Sequence, residues 1–505
     1  MTNTNSTNRI IKNSLFLYFR MILSLSVTLY TSRVVLNTLG VEDFGIYNVV
    51  GGVVIMMAFL SGAMSSATQR FFAFELGKND TQQLHNIFKM SLNIHWLIIF
   101  IVVFLAQTLG LWFINNQLVI PAARLVAANW VFHCALFSFC CTILAVPYNA
   151  VIIAHEKMSA FAYISIVDVI LKLVVVFFLA AHEGDNLQFY ALLLAFVSSV
   201  ILGCYYVYAR CQFSVARFSW YWNTELFKIL FSYTGWNLFG NLAAVATNQG
   251  VNILLNLFFG ATVNAARAIA FQVSSAITGF VTSLQMSINP QIVKSYASDN
   301  HVYMHQLIMG CSKYTFFLLY SLALPILLQT ETVLTLWLIN PPVHAVLFCQ
   351  LILVDALINS LSGSLMASAQ ATGNIKRYQA IIGGVLLLNL PLSYLFLSNG
   401  GSAHTVFYVS IGTSIMALLF RFVLLKELIN LNVTQFVSKV LCKSIFVVLS
   451  TFLPLNLMAL NTGNLIVDFI LMSTLIVVFT ATAIYMLGLE TFERDFVKAR
   501  IKNLF

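Results

Sequence analysis

Charge is what this sequence has least of. Of its 505 residues, 26 are Lys or Arg and 17 are Asp or Glu, 9% in all. Soluble domains carry about 25% charged residues, so an ordinary globular chain is excluded. Long polar segments are missing too: 60% of the residues are apolar, and they fall into long spans separated by short breaks. No break on the side opposite the basic residues is long enough to form a domain. Cysteine is present (Cys134, Cys140, Cys141, Cys204, Cys211, Cys311, Cys349 and Cys442) but forms no CxxC pair. That argues against both disulfides and zinc. There is no Gly-rich phosphate loop, no His/Cys cluster at metal-ligand spacing and no serine elbow, so no motif supports catalysis. The first apolar span is too long for a signal-peptide core and is followed by no small-residue cleavage site, so it reads as an uncleaved anchor.

What is there is a series of apolar spans. Fourteen are read, at about 14–38, 45–73, 90–114, 122–147, 159–181, 187–210, 226–257, 264–289, 306–328, 345–370, 378–397, 404–425, 437–459 and 465–488. Each suits a helix that crosses a bilayer. Short breaks make neighbouring helices antiparallel, and Pro147, Pro325, Pro391 and Pro454 should kink theirs. The odd-numbered breaks contain only acids: Glu42, Asp43, Glu183, Asp185 and Glu331, with Asp468 just beyond. All but six of the Lys and Arg residues lie in the even-numbered breaks or at the two ends, from Arg9 and Lys12 to Arg500 and Lys502. Basic residues resist translocation, so the alternation predicts a multi-pass membrane protein with both termini in the cytosol. The net charge of +9 is then a topology signal beside anionic headgroups and not a nucleic-acid footprint.

The chain repeats itself. Leu36–Tyr47 (LNTLGVEDFGIY) resembles Leu255–Arg267 (LNLFFGATVNAAR), and MSSATQ at 64–69 resembles MSINPQ at 286–291, at offsets of 219 and 222 residues. Six helices separate the matched elements. The fold class expected is therefore all-α, with about 14 transmembrane helices in two pseudo-symmetric six-helix lobes, at 1–211 and 212–432. Helices 13 and 14 and a cytosolic tail follow at 433–505.

Polar residues within the spans are grouped. Asn237, Asn241, Asn248 and Asn252 lie within about 60° of one another at 100° per residue. Ser275, Thr278, Thr282, Gln285 and Asn289 form a similar stripe on the next helix, and Arg20, Ser24, Thr28 and Thr31 share a face of the first. Amides facing lipid are costly, so these faces should look inward. Two readings remain: hydrogen bonding between helices, or a wet cavity lined by Asn237, Asn241, Asn248, Asn252, Ser275, Thr282 and Gln285 and suited to a hydroxyl-rich ligand. The six cations inside spans are Arg20, Arg33, Arg124, Lys172, Arg267 and Lys313. Arg33, Arg124 and Arg267 lie near the outward ends, close enough to snorkel as anchors. Alternatively, together with Arg20 and Lys313, they make a lumen that attracts phosphate or acidic sugar. Asp168 and Lys172 are spaced to pair on one helical face. Asp355 lies deep in its span with no local base and, with Asp168 and Lys172, is the candidate for H+ or Na+ coupling. His95 and His133 read as core residues. No metal site and no other cofactor is expected.

The stretch TSRVVLNTLGVEDFGIYNVVGG (Thr31–Gly52), followed by MSSATQRFFAFELGKND (Met64–Asp80), resembles the first two helices of Wzx-type polysaccharide (O-antigen) flippases of the multidrug/oligosaccharidyl-lipid/polysaccharide (MOP) exporter superfamily. ATGNIKRYQ (Ala371–Gln379) is similar to the corresponding region of that family. The resemblance implies a MATE-like architecture and alternating access between two lobes in a bacterial inner membrane. Its substrate would be an undecaprenyl-pyrophosphate-linked oligosaccharide. Membrane lipids, and other polysaccharide-assembly proteins, would be partners. It also implies that intramembrane basic residues face the cavity. The alternatives are a MATE-type multidrug or cation antiporter, which calls for an acidic, aromatic pocket; a membrane enzyme of polysaccharide assembly, which calls for a large outward loop; and a scaffold, which leaves the buried charges without a role.

Overall fold

The computed structural model describes residues 4–55, 58–116, 120–217, 219–338, 341–458 and 464–502. Arg9, Lys12, Arg500 and Lys502, used above for topology, lie outside the residues whose side chains are described. The described chain is helical, without strands. Its long helices are α1 (Thr4–Ile55), α2 (Ala58–Lys78), α3 (Thr81–Asn116), α4 (Ala122–Ala154), α5 (Met158–Ala180), α6 (Asn186–Gln212), α7 (Thr224–Phe259), α8 (Ala261–Ala297), α9 (His301–Leu328), α10 (Ala345–Ala371), α11 (Lys376–Ser398), α12 (Thr405–Ile429), α13 (Val433–Asn456) and α14 (Leu465–Gly488). A shorter α15 (Thr491–Lys502) follows.

Among the described residues, twelve helices are long and apolar enough to cross a membrane, against fourteen spans read from the sequence. The two not included are the segment running from the second part of α1 into α2, and α8. Residues 56–57 fall between α1 and α2, outside the described chain. α8 is a 37-residue helix, but its row of Ser, Thr, Gln and Asn keeps its hydropathy low. These are the second and eighth spans, six apart. The two helices preceding them, α1 and α7, share the lowest hydropathy of the twelve, 1.3 each. The polarity of the chain therefore repeats with the same period as its motifs.

The backbone repeats too. Gly40, where α1 turns, has φ 76°, and Gly260, between α7 and α8, has φ 80°. Asn79 after α2 has φ 58° and Asp299 after α8 has φ 54°; Glu156 after α4 has φ 61° and Gly373 after α10 has φ 78°. Each pair is about 220 residues apart, and each of these residues has a positive φ where a helix ends or turns.

The chain forms two compact units. Unit 1 comprises Met1–Leu242, Met286–Asn300 and Gly373–Lys376. α4 is its centre and packs on α1, α2, α3 and α6. Ala127, Ala128, Ala150 and Ala154 are buried there; small side chains let membrane helices approach closely, where packing replaces the hydrophobic effect. The turn after α4 is tied to the end of α8. Glu156 accepts from Lys294 Nζ at 2.6 Å and from Gln291 Nε2 at 3.1 Å, while its carbonyl oxygen accepts from Asn13 at 3.0 Å.

Unit 2 comprises Ala243–Gln285, His301–Thr372 and Arg377–Phe505. α9 is its centre, against α10, α13 and α14. α10 breaks between Ser360 and Gly363. The freed carbonyls are satisfied from α9: Ser312 Oγ donates to Leu361 O at 2.9 Å and Thr315 Oγ1 to Ser360 O at 3.0 Å. Arg421 of α12 donates to Ser362 Oγ at 3.1 Å and to the Tyr378 hydroxyl at 3.1 Å. A break inside a membrane helix persists only with such partners. α11 is interrupted at Leu388, three residues before Pro391, where the proline ring crowds the preceding turn.

Candidate functional site

In unit 2 the α7–α8 hairpin turns at Gly260 and brings Arg267 back beside α7. Arg267 Nη2 donates to the Asn248 carbonyl at 3.0 Å and to its Oδ1 at 3.3 Å; Nη1 reaches Asn252 Oδ1 at 3.4 Å. The guanidinium carbon lies 4.5 Å from the Phe271 ring centre. Arg267 is 9% exposed. Its Nε has no partner, and it forms no ion pair among the described residues. The two amides thus spend their oxygens on the arginine and keep their NH2 groups, so the cluster is rich in donors and carries an uncompensated positive charge. Such a set favours an anionic or hydroxyl-rich ligand.

Farther along α8, Ser275 and Thr282 are exposed, while Gln285 reaches the α10 break through Nε2 to Ser360 O at 3.5 Å. A Cβ on Gly363 would meet the Gln285 amide, which would have to move aside. One turn before the break, Asp355 Oδ1 accepts from Ser414 Oγ at 2.6 Å and Oδ2 from Asn359 Nδ2 at 3.0 Å. No base pairs with Asp355 among the described residues. A carboxylate with neutral partners beside an interrupted helix has the chemistry of a monovalent-cation or proton site.

The four asparagines of α7 do not form a single free row. Asn237 is 1% exposed and bonded to Tyr233; Asn241 is half-buried. Only Asn248 and Asn252 join the cation. Asp168 and Lys172 pair as the spacing predicts, at 2.8 Å on an exposed face of α5.

Two of the expected cavity cations are paired within the protein. Arg124 is held by two carboxylates: Nε donates to Asp43 Oδ1 at 2.8 Å, Nη2 to Asp43 Oδ2, and Nη1 to Asp185 Oδ2 at 2.8 Å. Asp185 also caps α6, accepting from Leu187 N and Gln188 N. Burial opposes its charge, but the bonds from Arg124 and Gln188 outweigh that and hold its carboxyl below the usual range. Lys313 donates to both oxygens of Glu493, each at 2.6 Å, in α15. Both cations have carboxylate partners within the protein. Arg33 is exposed and makes no ion pair among the described residues. Arg20 lies 5.2 Å from the Phe161 ring centre, its Nε unpartnered.

Arg70 and Arg421 belong to the basic breaks by position, yet each is 7% exposed. Arg70 sits against Phe71, Phe74 and Tyr233, at 4.8, 4.4 and 5.6 Å. The aromatic spacing around it (Phe71, Phe74) was the available signal.

No known family and no curated protein matches the sequence. The fold does have solved counterparts. An outward-facing multidrug-resistance MATE family transporter of the MOP superfamily aligns at TM-score 0.70 and 14% identity over 83% of this chain and 96% of its own. A MATE in a bent conformation aligns at TM-score 0.72 and 13% identity, over 84% and 96%. A MOP superfamily transporter from Pyrococcus furiosus, described as having a binding pocket of reversed polarity, aligns at 0.68 and 15%, over 83% and 96%. The chain has the MATE-like fold of multi-span membrane transporters.

Proposed function

We propose that this protein is a flippase that moves an undecaprenyl-pyrophosphate-linked oligosaccharide, the repeat unit of a surface polysaccharide, from the cytoplasmic to the outer leaflet of a bacterial inner membrane by alternating access. Both termini lie in the cytosol. The observation that carries this reading is Arg267: a buried guanidinium with no counter-ion among the described residues, flanked by two amides that still have donors to offer. The pyrophosphate binds where charge is uncompensated, and glycan hydroxyls meet Asn248, Asn252, Ser275 and Thr282. Arg33 adds a second cation without an ion pair among the described residues. Asp355, with Asn359 and Ser414, takes up the H+ or Na+ whose gradient biases the cycle.

The fold neighbours favour a second reading, a drug or cation antiporter of the MATE type. Its substrate needs an acidic pocket, whereas the unpaired buried charge beside the α7 amides is positive. The discriminating experiment reconstitutes the full chain in vesicles with a fluorescent lipid-pyrophosphate-linked oligosaccharide and with an organic cation. The flippase reading expects leaflet transfer that Arg267→Ala slows strongly and Arg267→Lys partly retains. Cation efflux without lipid transfer overturns it.

A further inference from the structure

His95, on α3, is 2% exposed. Its Nδ1 lies 2.6 Å from the carbonyl oxygen of Ser91, one turn earlier. A carbonyl only accepts, so that nitrogen carries the ring proton and Nε2 is the acceptor. Nε2 is buried and has no hydrogen-bond partner. A buried acceptor left without a donor is unfavourable, so the nitrogen calls for a partner.

The ring lines a cavity of about 20 Å³ together with Thr68, Ser91 and Thr234, the rest of the wall being apolar. One water needs roughly 10–15 Å³ and two to four polar partners. The cavity offers His95 Nε2 and three hydroxyls, two of which, on Thr68 and Ser91, are 3.4 Å apart. We propose that this cavity binds one water molecule on His95 Nε2 and that His95 takes up a proton through it.

The step balances simply. A proton arriving on the water passes to Nε2, the water returns to neutral, and the ring becomes an imidazolium that donates from both nitrogens. No other titratable group lines the cavity. On the packed helices, Arg70 of α2 and Tyr233 of α7 both meet the Phe71 ring, at 4.8 and 5.1 Å. Neither is an anion that would welcome an imidazolium. Protonation therefore works against the packing of α2 and α3 on α7, which supplies Leu230 and Thr234 to the wall. The joint is tight when His95 is neutral and loosens as pH falls. α7 opens the second repeat, so a proton here acts on the seam between the repeats, within unit 1. The inference does not rest on the cargo.

The test uses the full chain in lipid nanodiscs. Hydroxyl-radical footprinting detects bound water through side chains beside it. Met64 and Phe71, buried at 2% and 5% exposure, should react faster than Met304 and Phe348, which are fully buried elsewhere. The protection of α2, α3 and the first turns of α7, with the intrinsic pH dependence of amide exchange divided out, should then fall on going from about pH 8 to pH 5, by up to about tenfold per pH unit, the limit for one proton. In His95→Gln that extra loss should vanish. Thr234→Val, which keeps the histidine but removes a hydroxyl from the wall, should weaken the footprint if His95→Gln does not fold. Silent Met64 and Phe71 overturn the water site. A pH course in His95→Gln equal to that of the parent overturns the proton.

Discussion

Lys313 and Glu493 lie 180 residues apart in the chain and meet through both carboxylate oxygens, with Tyr314 donating to the same group. Their side chains are 5% and 14% exposed. α15 begins here: Glu493 also accepts from the Glu490 backbone N–H at 2.7 Å, closing the first turn of a helix at the end of the chain. The pair fastens the C-terminus to the centre of unit 2.

Breaking one partner leaves the other buried and alone, which costs about 3–5 kcal/mol. Glu493→Gln should lower the unfolding temperature sharply, and the double change Lys313→Met with Glu493→Leu should recover most of the loss. Burial opposes the charge on Glu493, but Lys313 and Tyr314 outweigh it and hold its carboxyl below the ordinary range. A depressed carboxyl stabilises fully above its unfolded pKa, and that stability is lost as pH falls through the folded one. The parent protein should therefore lose stability on acidification more steeply than Glu493→Gln. Equal acid slopes in thermal unfolding would count against the pair.

Arg124 joins Asp43 and Asp185 in unit 1, with side chains 19–30% exposed. Exposed pairs are worth about 0.2–1 kcal/mol each. Arg124→Ala should cost a modest amount, and raised salt should shrink the difference, since it screens partly exposed charge. Transport by the variant, measured at a temperature where it is folded, should be close to the parent's. A large loss of transport without loss of stability would return Arg124 to the binding site.

Arg267 should behave in the opposite way. Hydrogen bonds to charged groups contribute about 1.5–3 kcal/mol, so Arg267→Ala should slow leaflet transfer by about 10- to 100-fold. Its unfolding temperature should hold or rise, because a buried cation without a counter-ion is removed.

Asp355→Asn should leave the protein folded but uncouple it. Transfer driven by a Na+ or pH gradient should fall to the rate seen without a gradient, and Ser414→Ala should raise the ion concentration needed. Unchanged gradient dependence in Asp355→Asn would remove the site from the cycle.

Gly40 has φ 76° and ψ 169° with nothing within 4 Å of where a Cβ would sit. Space is no obstacle, yet that backbone region suits only glycine, and Gly40→Ala should cost about 1–3 kcal/mol. Gly62, equally unobstructed but at ordinary helical φ, should gain about 0.5–1 kcal/mol on the same change. Thermal unfolding of the two variants tests whether strain or crowding fixes the first glycine.

That the chain is built of long apolar helices was legible, because hydropathy records it directly. So were the glycine helix ends at Gly40 and Gly260, and the Asp168–Lys172 pair, whose spacing is local. Partnership was not. Arg124 looked like a lumen cation because its carboxylates sit 81 and 61 residues away, and Lys313 because its partner is in the last helix. Arg421 fell among the charges of the basic breaks because a helical pattern gives no sign that an arginine near a span end turns inward; for Arg70 the neighbouring Phe71 and Phe74 were the one sign. The broken α10 could not be foreseen either: what sustains it are hydroxyls on α9 and the guanidinium of Arg421 on α12, none of them adjacent in sequence.

That interruption has a mechanical consequence. Ser312 and Thr315 supply the bonds that the α10 backbone forfeits at Ser360 and Leu361. Sliding α9 along α10 would strip those carbonyls of their donors in a medium without water. The two helices must therefore travel as a single rod, and any switching between open and closed states has to find its hinge elsewhere.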